Sequence, residues 1–558
     1  MRDLKCSFVG TIARVAALAF IATSLACAHA APQQTPTHDH GGHGLGVVEF
    51  PVSCTPAAQE QFTRAITILH HMTYPQARLA FEEVAATDPN CAMAHWGIAM
   101  TLFQPLWPTR PNAEALQRGW NEVARAKELA APTERERLFI HAAEAFFVEP
   151  ASGDYWLRIR RWEEAAQDAY AKLPDDPEAA AFYALAHLAT TPATKISREH
   201  ADRAAEILLR IYQKNPQHPG AMHYLVHAND VPGRERELLE ITRKYESLAP
   251  RNPHALHMPT HIYTRLGDWD GVIRGNLLAA EAALEHPAGA NGEFVWDEFA
   301  HAIEYLIYAE LQKGDDASAA LQLKRLRETS RMEPSFKTAF HLASTQSRYA
   351  LERRAWKEAA AIATREPATL DWNRFTWPEA ITVFALGLGE VHGGDLPLAR
   401  ASLTRLRELE VATRKSGEEL FTRNVAVLAL ELNAWIAQAE QTPDQSLAFM
   451  NAAVELETST PKHSVTPAPT LPAYEQLGDL LLVQARPAKA LEAYVRASEL
   501  YPRRFNTILG AARAAKAAGE RDTAATFYRQ LLDVGQNATR KAELDEANAY
   551  LRGTQQTH

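Results

Sequence analysis

Three histidines, His254, His257 and His261, stand three and then four residues apart in the run NPHALHMPTHIYTRLGDW, residues 252–269. On a helix that spacing puts all three rings on one face. The run AMHYLVHAND carries His223 and His227, each 34 residues before His257 and His261. Imidazole is a good ligand for zinc, copper and nickel. His223, His227, His257 and His261 therefore form a candidate metal set, and Glu304 is a carboxylate able to complete it. A second reading needs no metal: histidines and a Glu in a groove hydrogen-bond a peptide or a partner's carboxylate. A third is bare duplication, in which a copied repeat kept its pair of rings. Neither HYLVH nor HMPTH has Glu next to its first His, so the zinc-protease helix signature is absent. There is no G-x-S-x-G elbow, P-loop or dinucleotide fingerprint. Binding is thus favoured over catalysis. An enzyme would need the metal first, with Glu304 or a groove Tyr carrying protons.

The elements that position these rings are helical. Ala, Leu and Glu dominate most windows of the 558 residues, Gly is scarce, and no run of alternating β-branched residues stands out. Hydrophobic content is 46% and charged content 23%, ordinary for a folded chain. The net charge of −10, without a long basic cluster, argues against a nucleic-acid partner.

The chain counts in 34s. Segments 471–504 and 505–538 match in kind, with a small residue at position 8 (Gly478, Ala512) and at position 20 (Ala490, Ala524). An aromatic falls at position 24 (Tyr494, Tyr528), and Pro502 closes the first unit. Residues 58–91 carry Ala65, Ala77 and Phe81 in the same frame, followed by 92–125. Segments 219–252 and 253–286 are contiguous, and further units start near Ala300, Phe340 and Ala380, with a looser one over 420–458. This pattern resembles the tetratricopeptide repeat, a helical hairpin. More narrowly, the chain resembles the exported bacterial members of that family, which act as interaction scaffolds. The resemblance covers most of 55–540, with insertions near 110–180 and 287–299. It implies an all-α solenoid of stacked hairpins.

In this frame His223 and His257 are position 5, and His227 and His261 are position 9. Positions 2, 5, 9 and 12 lie roughly 130° from the packing positions of the first helix. The resemblance implies that positions 2, 5 and 9 line the concave groove. The column then takes in His254 and His301 at position 2, Glu304 at position 5, Tyr308 at position 9, and His341 at position 2 of the next unit. Pro259 is expected either to bend its helix, re-aiming His257 and His261, or to mark a late helix start. Trp96, Trp107, Trp269 and Trp377 fit positions that pack repeats together. Glu475 and Asp479 are expected on a solvated surface.

The N-terminus reads as an export signal over 1–30. Arg2, Lys5 and Arg14 precede an apolar run from Val15 to Ala26, and AHA ends it. That run is too short for a membrane span, and no later one is long enough. A periplasmic or secreted protein follows, with a lipoprotein anchored through Cys27 the lesser alternative. Cys6 and Cys27 leave with the signal, so Cys54 and Cys91 are expected to form a disulfide. In the hairpin frame their two ends meet. A flexible leader is expected over 31–53, where His38, His40 and His43 make a polar, Gly-rich tail. The solenoid is expected over 54–457, a Pro-rich connector over 458–473, a C-terminal repeat pair over 474–540 and a tail over 541–558. The leading functional expectation is a scaffold that binds a protein or peptide in its concave groove. The alternative is a zinc, copper or nickel protein using the histidine column.

Overall fold

The computed structural model describes residues 44–289 and 291–555. The expected signal over 1–30, with Cys6 and Cys27, and the leader's His38, His40 and His43 lie outside them. The fold is all-α. Consecutive helices pair as hairpins, and each hairpin packs on the next to form a solenoid. Two isolated β-bridges, Ala288 with Phe294 and Val295 with Met332, are the extended pairing among the described residues.

Local chemistry explains where the hairpins start. Asp176–Pro177, His218–Pro219 and Asn252–Pro253 each place a side-chain acceptor at the N-cap and Pro in the first turn. The caps accept from Glu178 and Ala179, from Ala221, and from Ala255. Proline suits that place because its missing N–H would have no helical partner and its φ is already helical. Small residues set the crossing. A Cβ on Gly478 would come within 2.7 Å of the Tyr494 ring, and one on Gly510 within 2.4 Å of the same ring.

The 34-residue frame recurs as helices Pro219–Asn229 and Leu239–Leu248, then Pro253–His257 with Pro259–Leu266 and Trp269–Leu284. It recurs again as Glu298–Gln312 with Asp316–Glu328, and as the last two pairs over 473–534. Two stretches depart from it. The expected insertion at 110–180 is itself built of paired helices, among them Ala113–Glu128, Glu134–Phe147 and Tyr155–Lys172. Their lengths of 16, 14 and 18 residues obscure the 34-residue period. In the Phe340 unit the second helix is cut to Trp356–Ala359, and Pro367 lies shortly beyond it.

The disulfide Cys54–Cys91 is formed, with Cα atoms 5.0 Å apart, and closes the Pro56–His70 and Tyr74–Thr87 hairpin. Residues 45–53 are packed, which departs from the expected flexible leader. Phe50 is 2% exposed against Phe62, Trp96 and Phe139, and the Val47 N–H donates to the Gln217 carbonyl at 2.9 Å. Three aromatic partners supply an anchor that polar, Gly-rich composition hides. The expected tail is helical over Lys541–Gln555.

The superhelix comes back on itself. Thr539 N–H donates to the Gly314 carbonyl at 2.9 Å, and Trp269 Nε1–H donates to the Arg503 carbonyl at 2.8 Å. Glu475 is thereby buried rather than solvated: it accepts from Arg504 Nε at 3.0 Å and from Thr507, and pairs with Arg354. Asp479 accepts from Arg354 and Tyr494, both at 2.6 Å. The sequence frame shows the face these acids occupy but not the long-range contacts that cover it. Among the described residues no helix is long and apolar enough to cross a membrane.

Candidate metal centre

The Pro-rich connector lies across the inner side of the solenoid. Lys462 Nζ is 2.8 Å from Asp230 Oδ2, Ser464 Oγ donates to the Leu106 carbonyl at 3.2 Å, and Arg348 Nη1 donates to the Pro469 carbonyl at 2.7 Å. Beneath it the histidine column is buried. His223, His254, His257, His261 and His301 are 0–4% exposed, and His227 is half-buried. These side chains, expected to line the concave groove, are covered there by the chain's own connector and the segment around Trp107.

Pro259 splits the helix. Pro253–His257 ends, Met258 keeps helical angles (φ −53, ψ −43), and Pro259 opens the next segment. The His261 N–H then bonds the Met258 carbonyl at 3.2 Å, a tighter turn than the α-helical one. This junction brings His257 Nε2 to 3.0 Å from His261 Nε2.

The rings regroup across repeats. His223, His227 and His254 form one triad, and His257, His261 and His301 a second; within each, one ligand atom per residue lies within 4.8 Å of the others. Each triad therefore joins the position 5 and 9 pair of one repeat to position 2 of the next. The next register holds Glu304, Tyr308 and His341. There Glu304 is taken up by His341 Nδ1, Ser344 and Arg348, so it braces His341 rather than completing either triad. Tyr308 accepts from Arg504 and packs on Trp269, away from the triads. The tyrosine beside them is Tyr305, whose hydroxyl is 3.3 Å from His261 Nδ1.

The outer nitrogens fix the tautomers. His223 Nδ1 is 2.7 Å from the His70 carbonyl, which only accepts, so this nitrogen carries the proton. His257 Nδ1 is 2.7 Å from Asn276 Oδ1, and Asn276 donates its own amide to the Val272 carbonyl. His261 Nδ1 is 3.0 Å from Asp230 Oδ2, and His254 Nδ1 is 2.8 Å from Glu298 Oε2. Both carboxyls stay ionised against the cost of burial. Lys462 and Arg265 hold Asp230 well below the usual range, and Lys337 and His254 do the same for Glu298. His223, His257 and His261 therefore present an Nε2 lone pair inward, and His254 turns its Nε2 the same way. Ligating histidines are commonly braced in this way by a carbonyl or carboxylate on the far nitrogen.

Two facing lone pairs 3.0 Å apart repel unless a proton or a cation lies between them. Burial opposes the proton: it pushes the His257, His223, His227 and His301 rings well below their ordinary range. It lowers His261 too, with the neighbouring Asp230 opposing. Zinc–nitrogen bonds of about 2.0–2.1 Å put tetrahedral ligand atoms roughly 3.3 Å apart, close to the separation seen. Buried His254 Nε2 and His301 Nδ1 have no hydrogen-bond partner. A gap of about 10 Å³ is bounded by His227, His254, His261 and His301 together with Trp107, Ser464 and the buried Lys337.

A third group, His70, Glu178 and His218, behaves differently. His70 and His218 both bond Glu178, at 2.8 and 3.0 Å. Their remaining nitrogens meet the Tyr224 hydroxyl and the Ala221 N–H. Every ring nitrogen there is satisfied, so the group is a structural brace.

Sequence reasoning missed Asp230, Asn276, Glu298 and Tyr305. They come from a helix end, a second helix and the first helix of the following repeat, at no repeating offset from the rings they touch.

No family model matches the chain, and no curated protein matches it. Among solved structures it is similar to a chain in the crystal structure of the APC/C hetero-tetramer Cut9-Hcn1, at 13% identity over 89% of this chain and 95% of that one, with a TM-score of 0.28. It is also similar to a monomeric mutant of IFIT1 with Gppp-AAAA, at 12% identity over 79% and 90%, with a TM-score of 0.38.

Proposed function

We propose that this helical-repeat protein binds a transition-metal ion, zinc or copper, through His257, His261 and His301. One observation carries the reading: two imidazoles whose far nitrogens are committed as donors, to Asn276 and Asp230, point their lone pairs at each other across 3.0 Å in a buried site. A donor set of neutral imidazoles suits zinc, copper and nickel better than magnesium or calcium. Peptide docking on these histidines has less support, since the connector covers them. A protein partner would have to use other faces of the solenoid. Export to an oxidising compartment belongs to the same proposal, and the Cys54–Cys91 disulfide supports it.

The test is elemental analysis of the full chain, purified without a His tag and loaded with zinc or copper, beside a His257→Ala/His261→Ala variant. Near-stoichiometric metal in the parent that is reduced in the variant is the expected result. No bound metal in the loaded parent sinks the proposal.

A further inference from the structure

Repetition has made the histidine triad twice. His223 and His227 precede His257 and His261 by 34 residues, while His254 precedes His301 by 47; the 287–299 insertion lies between the latter two. The earlier triad shares three features with the later one. His227 Nε2 is 3.2 Å from His223 Nε2, the His223 tautomer is fixed by the His70 carbonyl, and His254 offers a buried, unpartnered Nε2. The two triads adjoin, with ring centroids 6.2 Å apart for His254 and His257 and 6.3 Å for His227 and His261.

They differ in access. The later triad is closed on every side, each of its rings at most 4% exposed. In the earlier one, half-buried His227 forms part of the wall of a cavity of about 250 Å³. Trp107, Trp156, Phe340 and Trp377 also line that cavity. Three neutral imidazoles leave a divalent ion's charge uncompensated, which favours an anionic donor in any open position. The aromatic walls favour an apolar body behind that donor.

We propose that His223, His227 and His254 hold a second metal ion beside the first, and that this outer ion takes an external ligand from the cavity. The ligand class is an anionic oxygen or nitrogen donor on a small apolar body. The inference rests on the metal reading above, but it fails separately from it.

The experiment loads the full chain and two variants, His227→Ala and His257→Ala, with copper(II), then counts copper and titrates azide. Circular dichroism checks the fold, and His223→Gln replaces His227→Ala if that variant unfolds. Two copper equivalents in the parent and one in each variant are expected. The azide charge-transfer band should persist in His257→Ala and vanish in His227→Ala. One equivalent in the parent, lost in either variant or in His257→Ala alone, overturns the second ion and leaves the metal reading standing. Two equivalents with an azide band that survives His227→Ala overturn the assignment of the outer ion. No copper at all overturns both.

Discussion

Asn276 chooses the tautomer of His257, and so decides whether that ring can serve as a ligand. Its Oδ1 accepts from His257 Nδ1 at 2.7 Å, and its amide is anchored on Val272. Asn276→Leu keeps the volume and removes the acceptor. Partners of this kind are worth 10–100-fold in affinity, so zinc affinity should fall by about that factor with the helices intact. Competition against a chelator measures it. Asn276→Asp, which keeps an acceptor, should restore most of the loss, and equal affinities in parent and Leu variant would refute the role. The histidines were legible in the sequence because a ring repeated at 34 residues stands out, whereas a single Asn on the facing helix leaves no pattern. Glu310 shows a residue-scale effect of the opposite kind. It is 4% exposed, its Oε2 has no hydrogen-bond partner, and burial with nearby Asp315 pushes its carboxyl up to about 8. Below about pH 4.5 both folded and unfolded chains are protonated there, so the group is neutral to stability. Between about 4.5 and 8 the folded chain keeps the proton while the unfolded one loses it, so stability falls as pH rises. Glu310→Gln should remove that decline and stabilise the protein by on the order of 1–3 kcal/mol at pH 7. Urea unfolding from pH 5 to 8 checks this; unchanged slopes would dismiss it.

At the scale of the element, the hairpins were readable and the triads were not. Each hairpin is a local unit whose caps, small residues and aromatics recur, as at Asn252–Pro253 or Gly478 against Tyr494. The repeat frame also put His254 and His301 in one column with the position 5 and 9 rings. Assigning His254 to the preceding pair, and His301 to the pair after it, requires knowing how adjacent first helices cross, which packing settles. Pro259 had two sequence readings; it stands in the first turn of a new helical segment after Met258, with a tightened turn to His261. The first hairpin carries the element-scale prediction. Cys54 and Cys91 close a loop with a sequence separation of 37. Removing a native disulfide typically costs about 2–4 kcal/mol. Cys54→Ala/Cys91→Ala should therefore lower the unfolding free energy by that amount, read from denaturant titration. The loss should appear as a local opening of 54–91 in hydrogen exchange, because the crosslink ties the two ends of that one hairpin. Uniform loss of protection across the chain would contradict this picture.

On the scale of the whole molecule, the connector turns an open superhelix into a closed one. Its Pro content identified a connector in the sequence, but not the path's destination, which is set by contacts more than a hundred residues away. Arg348 makes most of them: it is 0% exposed and donates to the Pro469, Thr470 and Ala468 carbonyls and to Thr466 Oγ1, while its Nε meets Glu304. Lys462 adds the link to Asp230, which also braces His261. Replacing one partner of a buried ion pair leaves the other charge without compensation, at a cost of about 3–5 kcal/mol. In Arg348→Met the connector carbonyls lose their donor, and Glu304 loses its cationic partner while keeping His341 and Ser344. The connector is held by these side-chain bonds rather than by a helical ladder, so it should open before the hairpins do. Limited proteolysis should then nick the variant first within residues 459–472, much faster than the parent, while the helical content stays in place. The same opening should speed metal loss to a chelator, because the connector covers both triads. If the variant is cut at the same sites and rates as the parent, Arg348 is not what holds the inner face closed.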